Sequence, residues 1–431
     1  MHADLSEHLF RREAARMVAV LTRIFGVQNL ALAEDVVQDA FCRALEVWKF
    51  RGLPENPSAW LMAAAKNRAL DVLRRERTAR TFAPELGRLL SSEWTLAPVV
   101  SELFETNSIK DDELRVMFSC CHPRLPEEAQ IALVLHLSCA FSVNEIAGAF
   151  VSSHAAIEKR ISRAKHVLAG SKNLLDIANV EDFRARLPAV YRALYLLFNE
   201  GYHGASAESA VRADLCREAM RLCAQLLEHP WGTTPAGHAL AALMCLHVAR
   251  LPARIDETGN LITLFEQDRS QWNRGRILEG KRLLELSATG PELSEYHVEA
   301  AIAAVHCDAA GQQDTDWVQI VALYDQLMAI RPSPIVALNR AIAIAEAEGP
   351  KRGLEAIESI DDRERLAEYP FYFAALGQLG LRSGKTAEAR GHFEVAAAKA
   401  RNATERRFFE QRVAACQSQI DETAGVTRGR S

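Results

Sequence analysis

Apolar residues recur at three- and four-residue spacing along nearly the whole chain, and the alternation expected of strands is almost absent. That period marks amphipathic helices, and the abundance of Ala, Leu, Glu and Arg favours the same state. The expectation is an all-α protein. Residues 8–25 read as a helix ending near Gly26. Residues 30–48 read as a second. Its apolar stripe is Val36, Val37, Ala40, Phe41, Ala44, Leu45 and Trp48, and its outward face is Glu34, Asp35, Gln38, Asp39 and Arg43. The segment GLPENP (52–57) breaks the chain, and Ser58 is the predicted N-cap of a long helix through Arg80. Residues 81–112, with Pro84 and Pro98 and an acidic bias, read as a linker carrying short helices.

Residues 140–168 have the pattern of a helix-turn-helix. Ser142 and Glu145 have capping-box spacing, and Ile146, Ala147 and Phe150 form the inner face of a short helix. Val151 and Ser152 make the turn, and Ser153 caps the second helix. Ile157, Ile161, Ala164 and Leu168 then point inward. A second helix with polar and basic residues on its free face suits a major groove, although many helical hairpins share the pattern.

Beyond residue 180 the chain becomes a succession of Ala-rich helices. Residues 370–400 place Phe373, Leu376, Gly377, Gly384, Ala389, Phe393 and Ala396 at tetratricopeptide spacing. Leu338, Gly349 and Ile357 occupy near-equivalent places one repeat earlier, and Tyr324, Leu327 and Pro332 fit the second half of another. Small residues are needed where two helices of a repeat cross closely, and bulky ones fill the gap to the next repeat. Helical hairpins are therefore expected over roughly 300–405, with a degenerate continuation from 185 to 300.

Composition narrows the class. The chain has 431 residues, 49% hydrophobic and 25% charged, with a mean hydropathy of −0.08. No run approaches the roughly 18 apolar residues of a membrane span. Asp4, Glu7 and Glu13 at the start argue against a secretion signal. Nine cysteines do not make a disulfide framework and fit a reducing cytoplasm. Residues 1–170 carry 21 basic and 21 acidic side chains, so the formal charge of −5 lies wholly in residues 171–431. Within that neutral first part, 66–80 holds six basic side chains and 158–165 holds four. Confined basic stripes are what a DNA reader with a small footprint needs, and equally what a solvated helix face shows.

Catalytic, phosphate-cradling and metal-binding signatures are missing, and no cofactor is expected. Cys120, Cys121 and His122, with Cys139, lack zinc spacing and read as buried or junction residues. Glu200, Tyr202 and His203 form one polar cluster, and Asp268, Arg269 and Trp272 with Asn273 and Arg274 form another. Each reads either as a regulatory or ligand-binding surface or as a hydrogen-bond network at a helix junction.

With these pieces in place, residues 10–168 resemble an extracytoplasmic-function (ECF) sigma factor of bacterial RNA polymerase. AEDVVQDAFCRALEVW (33–48) and NPSAWLMAAAKNRALDVLRRERTAR (56–80) are similar to sigma region two. LPEEAQIALVLHLSCAFSVNEIAGAFVSSHAAIEKRISRAKHVL (125–168) is similar to region four. LFNEGY and QDRSQWNRGRI further on look like the subset with a helical-repeat extension, which stands in place of a separate anti-sigma factor.

The resemblance implies a region-two domain over 1–80, the linker, a region-four helix-turn-helix over 113–170 and a tetratricopeptide-like α-solenoid over 181–420. It implies core polymerase and promoter DNA as partners, with the partner of the C-terminal domain unknown. Asp35, Gln38, Asp39 and Arg43 would meet polymerase. Asn67 would contact a flipped −10 base, with Arg68, Asp71, Arg74, Arg75, Arg77 and Arg80 around it. Ser153, His154, Glu158, Lys159, Arg160, Arg163 and Lys165 would face the −35 element. Ala155 and Ala156 offer that helix no hydrogen bonds, so base readout falls to His154, Glu158 and Lys159 or to apolar contact with thymine methyls. Trp60 reads as core rather than as a base-stacking platform.

Two other readings stand beside this one. The first is a DNA-binding regulator with a helical-repeat sensor arm that does not replace sigma. The second is a cytosolic enzyme with its site at 198–206 and 266–276.

Overall fold

The computed structural model describes residues 2–26, 29–75, 106–150, 152–169, 180–203, 211–257 and 260–428. Among the described residues there are 18 α-helices, and the all-α expectation holds. The nearest thing to a sheet among them is one isolated antiparallel bridge, Ile255 to Leu261. The chain divides into two compact units, Met1–Leu197 with Ala224–Gly232, and Phe198–Cys223 with Thr233–Ser431.

In the first unit α1 (His2–Phe25) is the central helix. Val18, Leu21, Ile24 and Phe25 are buried, and even Glu13 is sealed, bonded to Arg16 at 3.0 Å. α1 stops at Gly26, whose φ of 84° lets its N–H reach the Thr22 carbonyl. α2 (Leu30–Arg51) ends the same way at Gly52. α3 (Pro57–Arg75) begins two residues before the sequence reading. Asn56, not Ser58, is the cap, because its carboxamide oxygen accepts the Ala59 N–H at 3.0 Å and Pro57 at the first helical position needs no partner.

α4 (Thr106–Cys120) starts inside the segment read as linker. Asp112 is buried there and accepts a hydrogen bond from Arg23 of α1. α5 (Glu127–Leu133) runs into a π-helical turn, Val134–Ser138, and α6 (Val143–Ala149) and α7 (His154–Ala169) come after it.

The unit does not stop at the predicted boundary of 181. α8 (Val180–His203) belongs to it as far as Leu197. Phe183 stacks on Phe118 with ring centroids 4.0 Å apart, and buried Arg186 donates to the Phe118 carbonyl at 2.9 Å. His229 stacks on the other side of Phe183, which ties in residues 224–232 at the end of α9 (Ala213–Glu228). Aromatic stacking across this stretch overrides the change in composition that marked the boundary.

The second unit is built on α10 (Pro235–Val248), which is apolar all round. Contrary to the sequence expectation, Pro235–Ala253 is long and apolar enough to cross a membrane, but 61% of it is buried within the protein. It packs on α11 (Arg274–Ser287) and α12 (Glu295–Asp308). Gly280 of α11 permits the approach, since a Cβ there would lie 2.7 Å from Leu246.

α13 (Trp317–Ile330), α14 (Pro334–Glu348), α15 (Pro350–Glu358), α16 (Pro370–Arg382), α17 (Thr386–Ala398) and α18 (Ala403–Arg428) pack in sequence as antiparallel neighbours. Leu338, Ile357 and Leu379 fill the core between two hairpins, and Phe393 and Ala389 fill the next. α18 returns to the loop before α11 through an Arg412–Glu266 ion pair at 2.5 Å.

Candidate nucleic-acid interface

Four of the five residues read as the outer face of α2 are exposed, and Glu34 is not. Asp35, Gln38, Asp39 and Arg43 are all exposed, one or two turns apart. Asp39 accepts a hydrogen bond from Arg68 of α3 at 2.7 Å, so one residue assigned to polymerase holds one assigned to the −10 element. Asn67 and Asp71 are exposed on α3. Arg74 and Arg75 lie on its last turn, with side chains outside the described residues, as are Arg77 and Arg80 altogether. Trp60 packs edge-on against Trp48 at 5.5 Å, and Phe10 covers both Phe41 and Trp48.

Leu45 is a correction. It was placed in the buried stripe but is 61% exposed, because Phe10 from α1 covers the positions at 41 and 48 and leaves 45 open. Phe50 and Leu53 are exposed at 83% and 66%. The sequence reading missed these three exposed apolar side chains, which lie in the last two turns of α2 and just beyond it. Helical periodicity offered no signal for Phe50 and Leu53, which sit at and beyond the helix end.

Two helices, α6 and α7, follow one another over the segment read as a helix-turn-helix. Ser142 and Glu145 make the full capping box of α6. The Ser153 hydroxyl accepts the Ala156 N–H at 3.3 Å, which caps α7. Ile157, Ile161, Ala164 and Leu168 are buried, while Val151 lies outside the described residues.

The free face of α7 is narrower than read from the sequence. His154 is hydrogen-bonded to Asn144 at 2.6 Å. Arg160 pairs with Glu128 at 2.8 Å and lies over the Phe150 ring. Lys165 pairs with Glu34 of α2 at 2.7 Å, and His136 reaches the same carboxylate at 3.2 Å. Glu34, assigned outward, is therefore half-buried between the two halves of the unit. Arg11 adds a second tie, donating to Glu145 at 2.9 Å and to the Ala140 carbonyl. Glu158, Lys159 and Arg163 remain as the exposed charges.

Burial pushes the Glu34 carboxyl up, but hydrogen bonds from His136 and Lys165 and their charges outweigh it and hold the group below the usual carboxylate value. A lowered value means that this stabilisation is present above the ordinary carboxylate pKa and is lost as pH falls through the folded one. Glu34→Gln is expected to cost about 1 kcal/mol at neutral pH and close to nothing near pH 3. Urea unfolding at both pH values checks this; an equal cost at each would remove the ion pair as the cause.

Cys120, Cys121 and Cys139 are buried thiols, and burial pushes Cys121 up to about 12. Cys120, likewise raised by burial, and Cys121 are protonated at neutral pH.

In the second unit the two polar clusters are brought together, though not as a surface. Tyr202 and Trp272 are buried. His247, Arg250 and Arg254, which the sequence reading passed over inside an apolar helix and its turn, lie between them. Arg269 donates to the carbonyls of His306 and Ala309 and to the Thr315 hydroxyl, at 2.9–3.0 Å. Asp268 is exposed and caps a short 3-10 turn by accepting the Ser270 N–H. His203 is exposed, and Glu200 is half-buried and acts on the charge of Arg401.

Residues 9–79 match the sigma-70 region 2 family, and residues 186–288 match a family of unknown function, DUF6596. The chain is similar to the uncharacterized protein R00370 of Rhizobium meliloti (strain 1021), 37% identical over 396 residues, which is 92% of each chain. It is also similar to the RNA polymerase sigma factor CarQ of Myxococcus xanthus, 41% identical over 83 residues, 19% of this chain and 45% of that protein. No solved structure matches the chain at a significant level.

Proposed function

Because the chain belongs to one family with the Rhizobium meliloti protein over nearly its whole length and carries a sigma-70 region 2 domain, we propose that it is an RNA polymerase sigma factor of the ECF type. In this reading it binds core polymerase in the cytoplasm and directs promoter recognition, melting and initiation, and it is not an enzyme.

The observation that carries the reading is the region 2 match over residues that form α1–α3, with exposed polar and apolar side chains, followed by the two capped helices α6 and α7. α3 would present Asn67 to an unpaired −10 base, and α7 would present Glu158, Lys159 and Arg163 to the −35 element. The hairpins of α14–α17 would be a tetratricopeptide-like array whose role is regulatory. The pairing of Lys165 with Glu34 has a consequence here. It holds the DNA-reading helix against the polymerase-binding one, so engaging two separated promoter elements requires this contact to open.

Run-off transcription with purified core polymerase, on the DNA upstream of the protein's own gene, tests the reading. Discrete transcripts that depend on the protein are expected. Duplex binding by the protein alone, with neither transcripts nor co-elution with polymerase, would instead make it an independent helix-turn-helix regulator.

Lys159→Glu with Arg163→Glu is expected to lower transcript yield at least tenfold and to flatten its salt dependence. An unchanged footprint upstream would remove α7 from the −35 contact.

A further inference from the structure

The buried cluster of the second unit has a composition that packing alone does not explain. The guanidinium of Arg254 lies 4.0 Å over the Tyr202 ring, whose centroid is 4.9 Å from that of His247. Arg250 and Arg269 both flank the Trp272 ring, at 5.5 and 5.2 Å. Three arginines thus converge within two aromatic contacts of one another.

Arg269 is committed to carbonyls and a hydroxyl of its own unit. Arg250 and Arg254 make no ion pair and no side-chain hydrogen bond to any described residue. Arg250 is only 7% exposed. A buried cation with no ion-pair partner among the described residues is costly for a fold to keep.

The polar atoms around these arginines are unsatisfied as well. The Nε atoms of Arg250 and Arg254, the Tyr202 hydroxyl, the Trp272 Nε1–H and one ring nitrogen each of His247 and His306 are sealed from solvent and have no partner among the described residues. Trp272 is 3% exposed and Tyr202 1%. Buried polar groups are nearly always paired, so six orphans in one cluster call for a missing partner. Most of the six are donors, and the missing partner is therefore an acceptor. The terminal nitrogens of Arg250 and Arg254 are not among the sealed, unpartnered atoms, so an oxyanion would meet the guanidinium groups at these ends.

The histidines fit the same picture. Burial, and then the charges of Arg250 and Arg254, hold His247 well below its usual value. Burial, Arg250 and Arg269 push His306 down to about 3. Both are neutral at physiological pH, so the cationic field comes from the arginines.

We propose that Arg250 and Arg254, with Trp272 and Tyr202, form the binding site for a small oxyanion-bearing ligand, a phosphorylated or carboxylated metabolite. Planar guanidinium groups match such oxygens bidentately, and the two rings hold the arginines in place. The site lies within the stretch that matches the family of unknown function, and the inference does not depend on the sigma-factor reading.

The test is thermal unfolding and tryptophan fluorescence of the full chain. It is titrated with sodium phosphate, pyrophosphate or succinate against chloride at constant ionic strength. At about a hundred times Kd, a ligand of the native state is expected to raise Tm by roughly 5–10 °C. A response to phosphate or pyrophosphate assigns a phosphorylated ligand, and a response to succinate alone assigns a carboxylate.

Arg250→Gln and, at the half-exposed position, Arg254→Gln are each expected to raise Kd at least tenfold. Arg250→Met is expected to raise the Tm of the ligand-free protein, because it removes an unpaired charge. A purely structural arginine would lower it. No saturable response to any of the three anions, or the same response in both glutamine variants as in the wild type, overturns the proposal.

Discussion

Replacing Leu45, Phe50 and Leu53 together by aspartate is expected to weaken association with core polymerase by a factor of about 100 or more, while leaving thermal stability within a degree or two of the wild type. The two halves of this expectation come from the same observation. Each side chain is more than half exposed in the isolated protein, so the fold loses almost nothing when it is removed. Burying such a side chain against a partner is worth about 1.5–3 kcal/mol, and interface energies concentrate in a few apolar anchors of this kind.

Placing a carboxylate there adds a desolvation cost to the lost burial. The factor of 100 is set well below the summed burial, because part of that energy goes to ordering the interface. Asp35, Gln38, Asp39 and Arg43 stand on the same helix and would surround this patch as a polar rim. Substituting them singly is expected to change association rates and salt dependence more than affinity. Anisotropy titration of labelled protein with core polymerase measures the effect. An unchanged Kd for the triple variant would place the polymerase contact elsewhere and weaken the sigma-factor reading.

The second large effect is expected in the C-terminal hairpins. Phe393→Ala should cost about 3–5 kcal/mol, equivalent to a fall of about 10 °C in the transition of the second unit. Phe393 is 2% exposed, and its ring lies against Gly377, where an added Cβ would meet ring atoms at 2.9–3.0 Å. The same contact makes Gly377→Ala unfavourable despite the higher helix propensity of alanine, since the ring has to shift.

The two sites are therefore coupled with a defined sign. With Phe393→Leu in place, Gly377→Ala should become neutral or stabilising. The chain has two units, so the relevant quantity is the midpoint of the second transition, followed by far-ultraviolet circular dichroism and by protease sensitivity of α16–α18. A fall of less than about 2 °C for Phe393→Ala would mean that the hairpins do not pack through this ring.

Much of the fold was legible in the residue pattern. Periodicity located the helices, and the Ser142–Glu145 spacing located a real capping box. The inward face of α7 was read correctly because four residues at helical spacing leave little choice about which side is buried. Gly377 and Phe393 were both named at repeat spacing, but their contact was not, because the bulky residues were expected to fill the gap to the next repeat.

Apart from the local choice of Asn56 over Ser58 as a cap, the errors share one cause, contact with a distant segment. Leu45 looked buried until Phe10 covered its neighbours and left it open. Glu34 and Lys165 looked like solvated charges until α2 and α7 met. Arg250 and Arg254 gave no signal inside an apolar stretch, and only the arrival of Tyr202 and Trp272 made them a cluster.

The sequence by itself determined the all-α class, the course of the first helices and the caps at Ser142 and Ser153. These depend on residues within a few positions of one another, whose propensity, capping and periodicity act before any tertiary contact forms. Only the tertiary structure decided which charged faces stay free, where the two units divide and which arginines have no ion-pair partner among the described residues. Those depend on what a residue meets from tens to hundreds of positions away, and the resulting desolvation and pairing are properties of the folded neighbourhood, not of the residue.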